Sequence, residues 1–347
     1  MMRFAPPSLA LSLSFVASLL PLYAGHAQVT PIVHNEMFET PTALLELIGL
    51  KRWTLAMIQD SLARYAPGDS LTSHACAAIL RGKLRFADAA VQYYPPGLNG
   101  RTKGYFAVPV VEPQDSARVR YRARPRDSVP DRADWAAALA VFREHNQVFQ
   151  SAIQWPPFLM GRLPPDKIEP SLASARPLLE FLRGHRTERD RRTALWTLAH
   201  DGNTQQRTIA AVILAGFPES DSTWWALADA LRDQDGMVSG TVSQVLSTLS
   251  RDAARPVNWT AVAGSLRALL DGTDLFVHNT VLDALAATQV DPALAGTLLR
   301  GGGELVLAKL RSHDPSGAGA AHRFLVQLSG RDFGQDAAAW EHWVRAP

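Results

Sequence analysis

Short turns built on aspartate recur through the second half of the chain, and each precedes a stretch with helical apolar spacing. The four turns are Asp201-Gly202, Asp235-Gly236, Asp271-Gly272 and Asp314-Pro315. Their aspartates are 34, 36 and 43 residues apart, within the range of about 30 to 47 residues typical of helical repeats. Because aspartate caps a helix start and glycine lets the chain bend, these turns predict a series of antiparallel helix pairs from Pro170 onward.

Both helices of each predicted pair carry an apolar face. The residues following the turns include Ile209, Val212, Val238, Val242, Val245, Val277, Val281, Leu282, Phe324 and Leu325. The residues preceding them include Trp224, Leu227, Leu231, Leu266, Leu269, Leu305 and Leu307. Since one pair cannot bury its apolar face alone, neighbouring pairs must stack.

The chain closes with Leu-Ser-Gly-Arg-Asp-Phe-Gly-Gln-Asp over residues 328–336, followed by Trp340 and Trp343. Gly330 can end one helix and Asp336 can start another, whose two tryptophans share a face. Together with the repeated turns, this segment resembles the end of a HEAT-type helical repeat array. The resemblance covers residues 170–347 and implies an all-α solenoid with a C-terminal aromatic cap.

The first residues have the layout of a secretory signal peptide. Arg3 precedes an apolar run from Leu9 to Leu22, and small residues, Ala24-Gly25-His26-Ala27, follow it. We expect a signal peptide over residues 1–27, cleavage near Ala27 and a periplasmic or secreted protein. An uncleaved membrane anchor is the alternative, but the run is shorter than the ~20 residues that a spanning helix needs.

Charge and cysteine content narrow the classes of function. The formal net charge is +2, and it becomes +1 when Arg3 is removed with the signal peptide. Such a balanced chain lacks the broad positive field of nucleic-acid-binding proteins, so we expect no nucleic-acid partner. Cys76 is the only cysteine, which excludes an internal disulfide, and a buried, inert thiol is expected.

Residues 28–125 have a different texture and predict a small α+β domain. Strands are expected over residues 44–50, 86–94 and 105–111, and helices over 53–65 and 71–84. Leu47-Ile48-Gly49-Leu50, Leu84-x-Phe86-x-Asp88-x-x-Val91 and Val108-x-Val110-Val111-Glu112 resemble the strands of a POTRA domain. That resemblance implies client binding by addition of an extended segment to a sheet edge. A small α+β domain of no assigned family is the alternative.

Four arginines, Arg118, Arg120, Arg122 and Arg124, alternate with other residues. In a strand, this spacing would place all four on one face, about 7 Å apart. One interpretation is a solvated edge strand, with Glu112, Asp115 and Asp127 as candidate internal partners. The other is a contact strip for an anionic membrane surface, for lipopolysaccharide or for an acidic protein.

The remaining segments connect the two halves. Residues 126–169 are predicted to hold a linker, Arg126 to Asp131, and one capping helix over about 133–153. Gly301-Gly302-Gly303 predicts a flexible joint within the repeats.

No motif for catalysis, a cofactor or a metal has a suitable context. His74 and Cys76 are the nearest catalytic pair, but residues two apart on a helix point to different sides. The histidines are scattered without metal-ligand spacing. We therefore expect an exported, non-catalytic interaction or scaffold protein with a protein partner and a helical-repeat surface. The alternative is a hydrolase-type enzyme with its site at the junction of the two halves.

Overall fold

The computed structural model describes residues 33–127 and 132–345. The predicted signal peptide lies outside these residues, as does most of the predicted linker. From residue 33 onward the described chain belongs to one compact unit. It is mostly helical, with a small mixed sheet near its N-terminal end. The predicted combination of an α+β region and a helical region is confirmed at this level.

The sheet of the described chain has five strands in the order β1-β2-β5, with β3 and β4 both on the far side of β5. β2 and β5 are parallel, and the other pairs are antiparallel. The strands are β1 His34–Glu39, β2 Ala43–Leu50, β3 Asp88–Ala89, β4 Gln92–Tyr94 and β5 Gly104–Val111.

The observed strands differ from the predicted ones at two places. β1 was not predicted, because its residues are only partly buried at a sheet edge and show no strong apolar alternation. The single strand predicted over residues 86–94 is two short strands. The chain changes between them from pairing with the end of β5 to pairing with its middle.

The two faces of the sheet pack against different helices. Leu45 and Leu47 face a core with α1, Leu55–Tyr65, and α2, Cys76–Gly82. Ile48, on the opposite face, packs with Ala308 of a C-terminal helix. This alternation follows from the two-residue period of a strand. The sheet is therefore buried between its own helices and the helical region.

The helical region runs from α3 to α15. Its helices are α3 Ala136–Glu144, α4 Asn146–Ile153, α5 Pro156–Leu159, α6 Arg176–Gly184, α7 Glu188–His200, α8 Thr204–Leu214, α9 Asp221–Ala230, α10 Gly236–Asp252, α11 Ala263–Leu270, α12 His278–Ala287, α13 Pro292–Leu310, α14 Pro315–Ser329 and α15 Ala337–Arg345. Contacts join α8, α10, α12 and α14 in succession, and likewise α7, α9, α11, α13 and α15. The two sets of helices thus form two adjacent rows.

Local predictions in this region have mixed outcomes. Asp235 and Asp314 cap α10 and α14 as predicted, whereas Asn203 rather than Asp201 caps α8. The predicted helix over 133–153 is broken at His145, whose backbone is not helical. The predicted joint at residues 301–303 is wrong, because these glycines lie inside α13. Tertiary packing overrides their low helix propensity there.

The C-terminal segment closes the helical region. Gly330 ends α14 in the left-handed conformation, with φ of 64°. Trp340 of α15 is fully buried in the main core, and its indole nitrogen donates to the Gly334 carbonyl at 2.9 Å. Trp343 is partly buried against the same core. The two tryptophans therefore cover apolar residues at the C-terminal end of the described helices.

Candidate functional site

A cleft of about 940 Å³ lies between the sheet and the row containing α10 and α12. The β4 strand forms one wall, through Gln92 and Tyr93, and the first turns of α10 form another. Nine other lining side chains carry amides or hydroxyls, namely Asn146, Gln150, Thr241, Ser243, Gln244, Ser247, Asn279, Thr280 and Ser316. Phe276 also lines the cleft and is 69% exposed. The cleft therefore combines hydrogen-bonding groups with an exposed aromatic ring.

Lys309 of α13 lines this cleft although only 2% of the residue is exposed. Its ammonium donates to Asn279 Oδ1 at 2.6 Å. Burial lowers its pKa to about 8, and the charge of Asp314 acts in the opposite direction. Since each pKa unit corresponds to about 1.4 kcal/mol, keeping this cation buried costs the fold free energy.

Asp314 is held by neighbours on the sheet and on α14. Its Oδ1 accepts from the Tyr94 hydroxyl and from the Ser316 backbone N–H, the latter at 3.0 Å. Burial, with the nearby Asp314 carboxylate, raises the pKa of Tyr94, so this hydroxyl keeps its proton at neutral pH. Asp314 is therefore a fixed carboxylate that joins the sheet to the start of α14.

Glu46 makes a second connection between the sheet and the helices. Its Oε2 accepts from the Tyr105 hydroxyl at 2.5 Å and from the His313 backbone N–H at 2.8 Å. Asn35 donates to the other oxygen at 3.3 Å and to the Ala308 carbonyl at 2.9 Å. These bonds hold the end of α13, and with it Lys309, against the sheet.

A smaller space of about 390 Å³ adjoins the cleft, and three aspartates line it, Asp88, Asp233 and Asp274. Asp88 is buried and accepts from the Leu275 and Ala89 N–H groups at 2.8 and 2.9 Å. Asp274 lies in the left-handed region, with φ of 54°. Burial first, and then the charge of Asp88, raises the pKa of Asp274 to about 6, and burial raises that of Asp88. Both carboxyl groups therefore bind a proton at higher pH than an exposed aspartate does.

A further groove of about 670 Å³ continues along the same row of helices. Ser247 of α10 lines both the cleft and this groove. On the α12 and α14 side, Arg323 donates to Asp283 at 2.7 Å, and His322 and Asp332 are 2.8 Å apart. The exposed faces of α10, α12 and α14 thus line an elongated surface that begins at the sheet.

The arginine segment is not a strand. Residues 119–126 have no regular secondary structure, and Arg122 N–H donates to the Arg232 carbonyl at 2.9 Å. Three of the four side chains pair with acids of the helical region instead of sharing one face. The shortest ion-pair distances are 3.4 Å for Arg118 with Glu304, 2.6 Å for Arg120 with Asp271 and 2.5 Å for Arg122 with Asp233.

The suggested internal partners of the arginines and Arg124 itself lie in different surroundings. Of the three suggested internal partners, Asp115 contacts Arg118, at 3.5 Å. Glu112 instead accepts from the backbone N–H groups of residues 51–53. Arg124 is exposed. The segment therefore ties the sheet region to the turns between helices.

The His74 and Cys76 pair is not arranged for catalysis. Cys76 is fully buried, as expected, and burial raises the pKa of its thiol to about 12. The His74 ring packs edge-on against Tyr93, with ring centres 4.9 Å apart. A thiol that stays protonated at neutral pH is a poor nucleophile.

No group of three or more His, Cys, Asp or Glu side chains among residues 33–127 and 132–345 is placed to hold a metal ion. Within the same residues, no helix has the length and apolar character required to cross a bilayer.

Comparison with protein-family models, with curated proteins and with solved structures found no match to this chain.

Sequence reasoning missed Lys309, although a signal for it was present. The lysine stands in the run Leu305-Val-Leu-Ala-Lys-Leu, three residues after Val306. Helical periodicity places these positions on one face, and Val306 is fully buried. A charged residue on a buried helical face indicates a paired or functional group.

Proposed function

We propose that this chain is an exported, non-catalytic binding protein that holds an extended segment of a partner protein in the cleft beside β4. The observation that carries the proposal is the continuity of the cleft with the groove along α10, α12 and α14, both of which Ser247 lines. Together the two spaces exceed the 300–1,000 Å³ usual for small-ligand pockets. An elongated ligand fits this shape better than a compact one.

The chemistry of the lining supports a polypeptide ligand. Amide side chains such as Gln150 and Gln244 can both donate to and accept from a peptide backbone. β4 pairs with β5 and with no second strand in the described chain, and its residues line the cleft. An edge strand can bind an extended segment through main-chain hydrogen bonds. Phe276 supplies an apolar contact for a partner side chain.

The arrangement of elements supports the two family resemblances as part of this proposal. Rows in which each helix contacts the next of its row are what a HEAT-like solenoid requires. Edge addition at β4 is the binding mode that the POTRA-like resemblance implies. An anionic membrane surface is a weaker candidate partner, because internal carboxylates already pair with Arg118, Arg120 and Arg122.

Blocking the cleft tests the proposal. A Cβ at Gly240 of α10 would meet no atom within 4 Å, although this residue lines the cleft. Gly240→Trp should therefore fill the cleft without disturbing the helix. The matched control is Gly264→Trp on α11, in the other row, where a Cβ also meets nothing within 4 Å.

The probe is a displayed library of random decapeptides, followed by fluorescence polarisation with the enriched peptides. We expect Gly240→Trp to weaken binding at least about tenfold, equal to about 1.4 kcal/mol, and Gly264→Trp to bind like the unmodified chain. Equal binding by the two variants, or no enrichment at all, would contradict the proposal.

A second candidate function is acid–base catalysis at the junction, favoured by the raised pKa values of Asp88 and Asp274. Partly protonated carboxyl groups beside a cleft are suited to proton transfer. Peptide, ester and glycoside substrates incubated with the chain and with Asp274→Asn would test it. Turnover that is lost in the variant would support catalysis, and absence of turnover across the panel would reject it.

A further inference from the structure

Lys309 is a buried cation that no carboxylate of the described residues pairs with directly. Its one hydrogen bond goes to the neutral amide oxygen of Asn279. The charge of Asp314 raises its pKa, and the Oδ1 atom of that carboxylate accepts from the Tyr94 hydroxyl and the Ser316 N–H. Lys309 therefore lines the cleft as a buried cation without a direct carboxylate partner among the described residues.

The hydrogen-bonding capacity of this pair is also unfilled. An ammonium has three donors, and an amide nitrogen has two. Lys309 directs one donor to Asn279 Oδ1, which leaves the Asn279 Nδ2 group as a second donor on the same side chain. Two adjacent donors of this kind match the two oxygens of a carboxylate.

We propose that Lys309 and Asn279 bind a carboxylate of the partner segment, supplied by its C-terminus or by an acidic side chain. This inference rests on the proposed function, since it assigns the chemistry of one end of the same ligand. A buried charge is costly unless an opposite charge accompanies it. The partner's carboxylate would supply that charge at the moment of binding.

The surroundings favour a carboxylate over a phosphate group. No arginine is among the residues lining the cleft, and Lys309 is its sole lysine. The fixed Asp314 carboxylate lies nearby and would repel a doubly charged group more than a singly charged one. His278, fully buried on α12, adds no charge, because burial and then the Lys309 charge lower its pKa well below the ordinary value.

Peptides enriched in the library selection test the carboxylate in three forms. Each is made with a free C-terminus, with a C-terminal amide, and with its acidic side chains changed to amides. We expect the form that lacks the anchoring carboxylate to bind at least about tenfold more weakly, equal to about 1.4 kcal/mol. The two modified forms distinguish the C-terminus from a side chain as the source.

Protein variants complete the peptide test. Lys309→Met should bind all three forms equally weakly, whereas Lys103→Met, which removes a surface lysine paired with Glu39, should bind them like the unmodified chain. If all three forms bind the unmodified chain equally, or if Lys309→Met keeps full affinity, the carboxylate site is refuted while peptide binding stands.

A direct probe decides the inference even if no peptide binds. The chain has five lysines, so NMR of 13Cε-labelled lysine can follow Lys309 during titration with sodium acetate, against sodium chloride at equal ionic strength. We expect a saturable, acetate-specific shift of the resonance that is missing in Lys309→Met. In Asn279→Asp, a carboxylate built in beside the ammonium should abolish the response. No acetate-specific shift in the unmodified chain, or an undiminished one in Asn279→Asp, would overturn the inference.

Discussion

At the scale of single residues, groups whose burial or backbone conformation destabilises the fold lie around the cleft. Lys309 is buried with a lowered pKa, and Asp274 combines a raised pKa with a left-handed backbone. Groups held in unfavourable states persist where they serve binding or chemistry, or where neighbours over-determine them. The concentration of such groups at one place is a physical reason to assign function there.

Removing the Lys309 charge should stabilise the fold at neutral pH. We expect Lys309→Met to raise the free energy of unfolding at pH 7 by about 1 to 3 kcal/mol. The gain comes from removing a lysine whose pKa falls from 10.5 in the unfolded chain to about 8 in the folded one. The loss of its hydrogen bond to Asn279 reduces that gain. Below pH 8 the buried lysine destabilises the fold by its full amount. This destabilisation decreases as pH rises from about 8 to 10.5, because the folded lysine is then neutral while the unfolded one is still charged.

Urea denaturation of both proteins at pH 7 and pH 10 measures this effect. The advantage of Lys309→Met should shrink at the higher pH. A variant that is less stable at pH 7, or an advantage of the same size at both pH values, would show that the burial cost of the lysine is small.

At the scale of elements, the extended arginine segment joins the sheet region to the helices. Arg122 and Arg207 both pair with Asp233, and the Arg207 side chain is completely buried. Burial alone would raise the pKa of Asp233, but the Asp235 N–H and the two guanidinium groups hold it below its ordinary value. This carboxylate therefore stabilises the fold above the unfolded pKa of about 4, and that contribution is lost as pH falls further.

Neutralising Asp233 should destabilise the chain strongly. We expect Asp233→Asn to lower the free energy of unfolding by about 3 to 5 kcal/mol, since it leaves two arginines without their shared buried counter-charge. The control is Asp283→Asn, which breaks an exposed pair with Arg323 and should cost at most about 1 kcal/mol. Thermal and urea denaturation at pH 7 measure both, and similar losses in the two variants would contradict a structural role for the segment.

At the scale of the whole molecule, the sheet and the helical rows share buried contacts. Tyr94 with Asp314 and Glu46 with the His313 N–H cross between them. Residues Tyr105 and Ala308 lie in one apolar cluster. These contacts fill one face of the sheet, so separating the two parts would expose apolar surface and buried polar groups together.

Unfolding should therefore occur in a single transition. With 5-fluorotryptophan, the 19F signals of Trp53 in the sheet region and of Trp224 and Trp259 in the helices should disappear at the same urea concentration. Loss of the Trp53 signal at a clearly different concentration would instead show independent domains at about residues 28–125 and 170–347.

The features that could be predicted from the sequence are those set by residues close together in the chain. Gly330 and Trp340 marked the closing segment, and Asp235 and Asp314 marked helix starts. The prediction of a flexible joint at residues 301–303 was wrong, because packing around Gly303 supports a continuous helix. A Cβ at Gly303 would lie 3.4 Å from Val344. β1 was missed because a half-exposed edge strand carries little apolar alternation.

The sequence by itself determined the helical second half, the turns that separate its helices and the mixed N-terminal region, since spacing, caps and glycine conformations act over a few residues. The tertiary structure alone decided the cleft, the burial of Lys309 beside Asn279 and the pairing of three of the four arginines with different acids. Those features join residues such as Arg120 and Asp271, which are far apart in the chain. Such contacts arise only when separate elements pack to bury their apolar faces, and no local pattern specifies which ones meet.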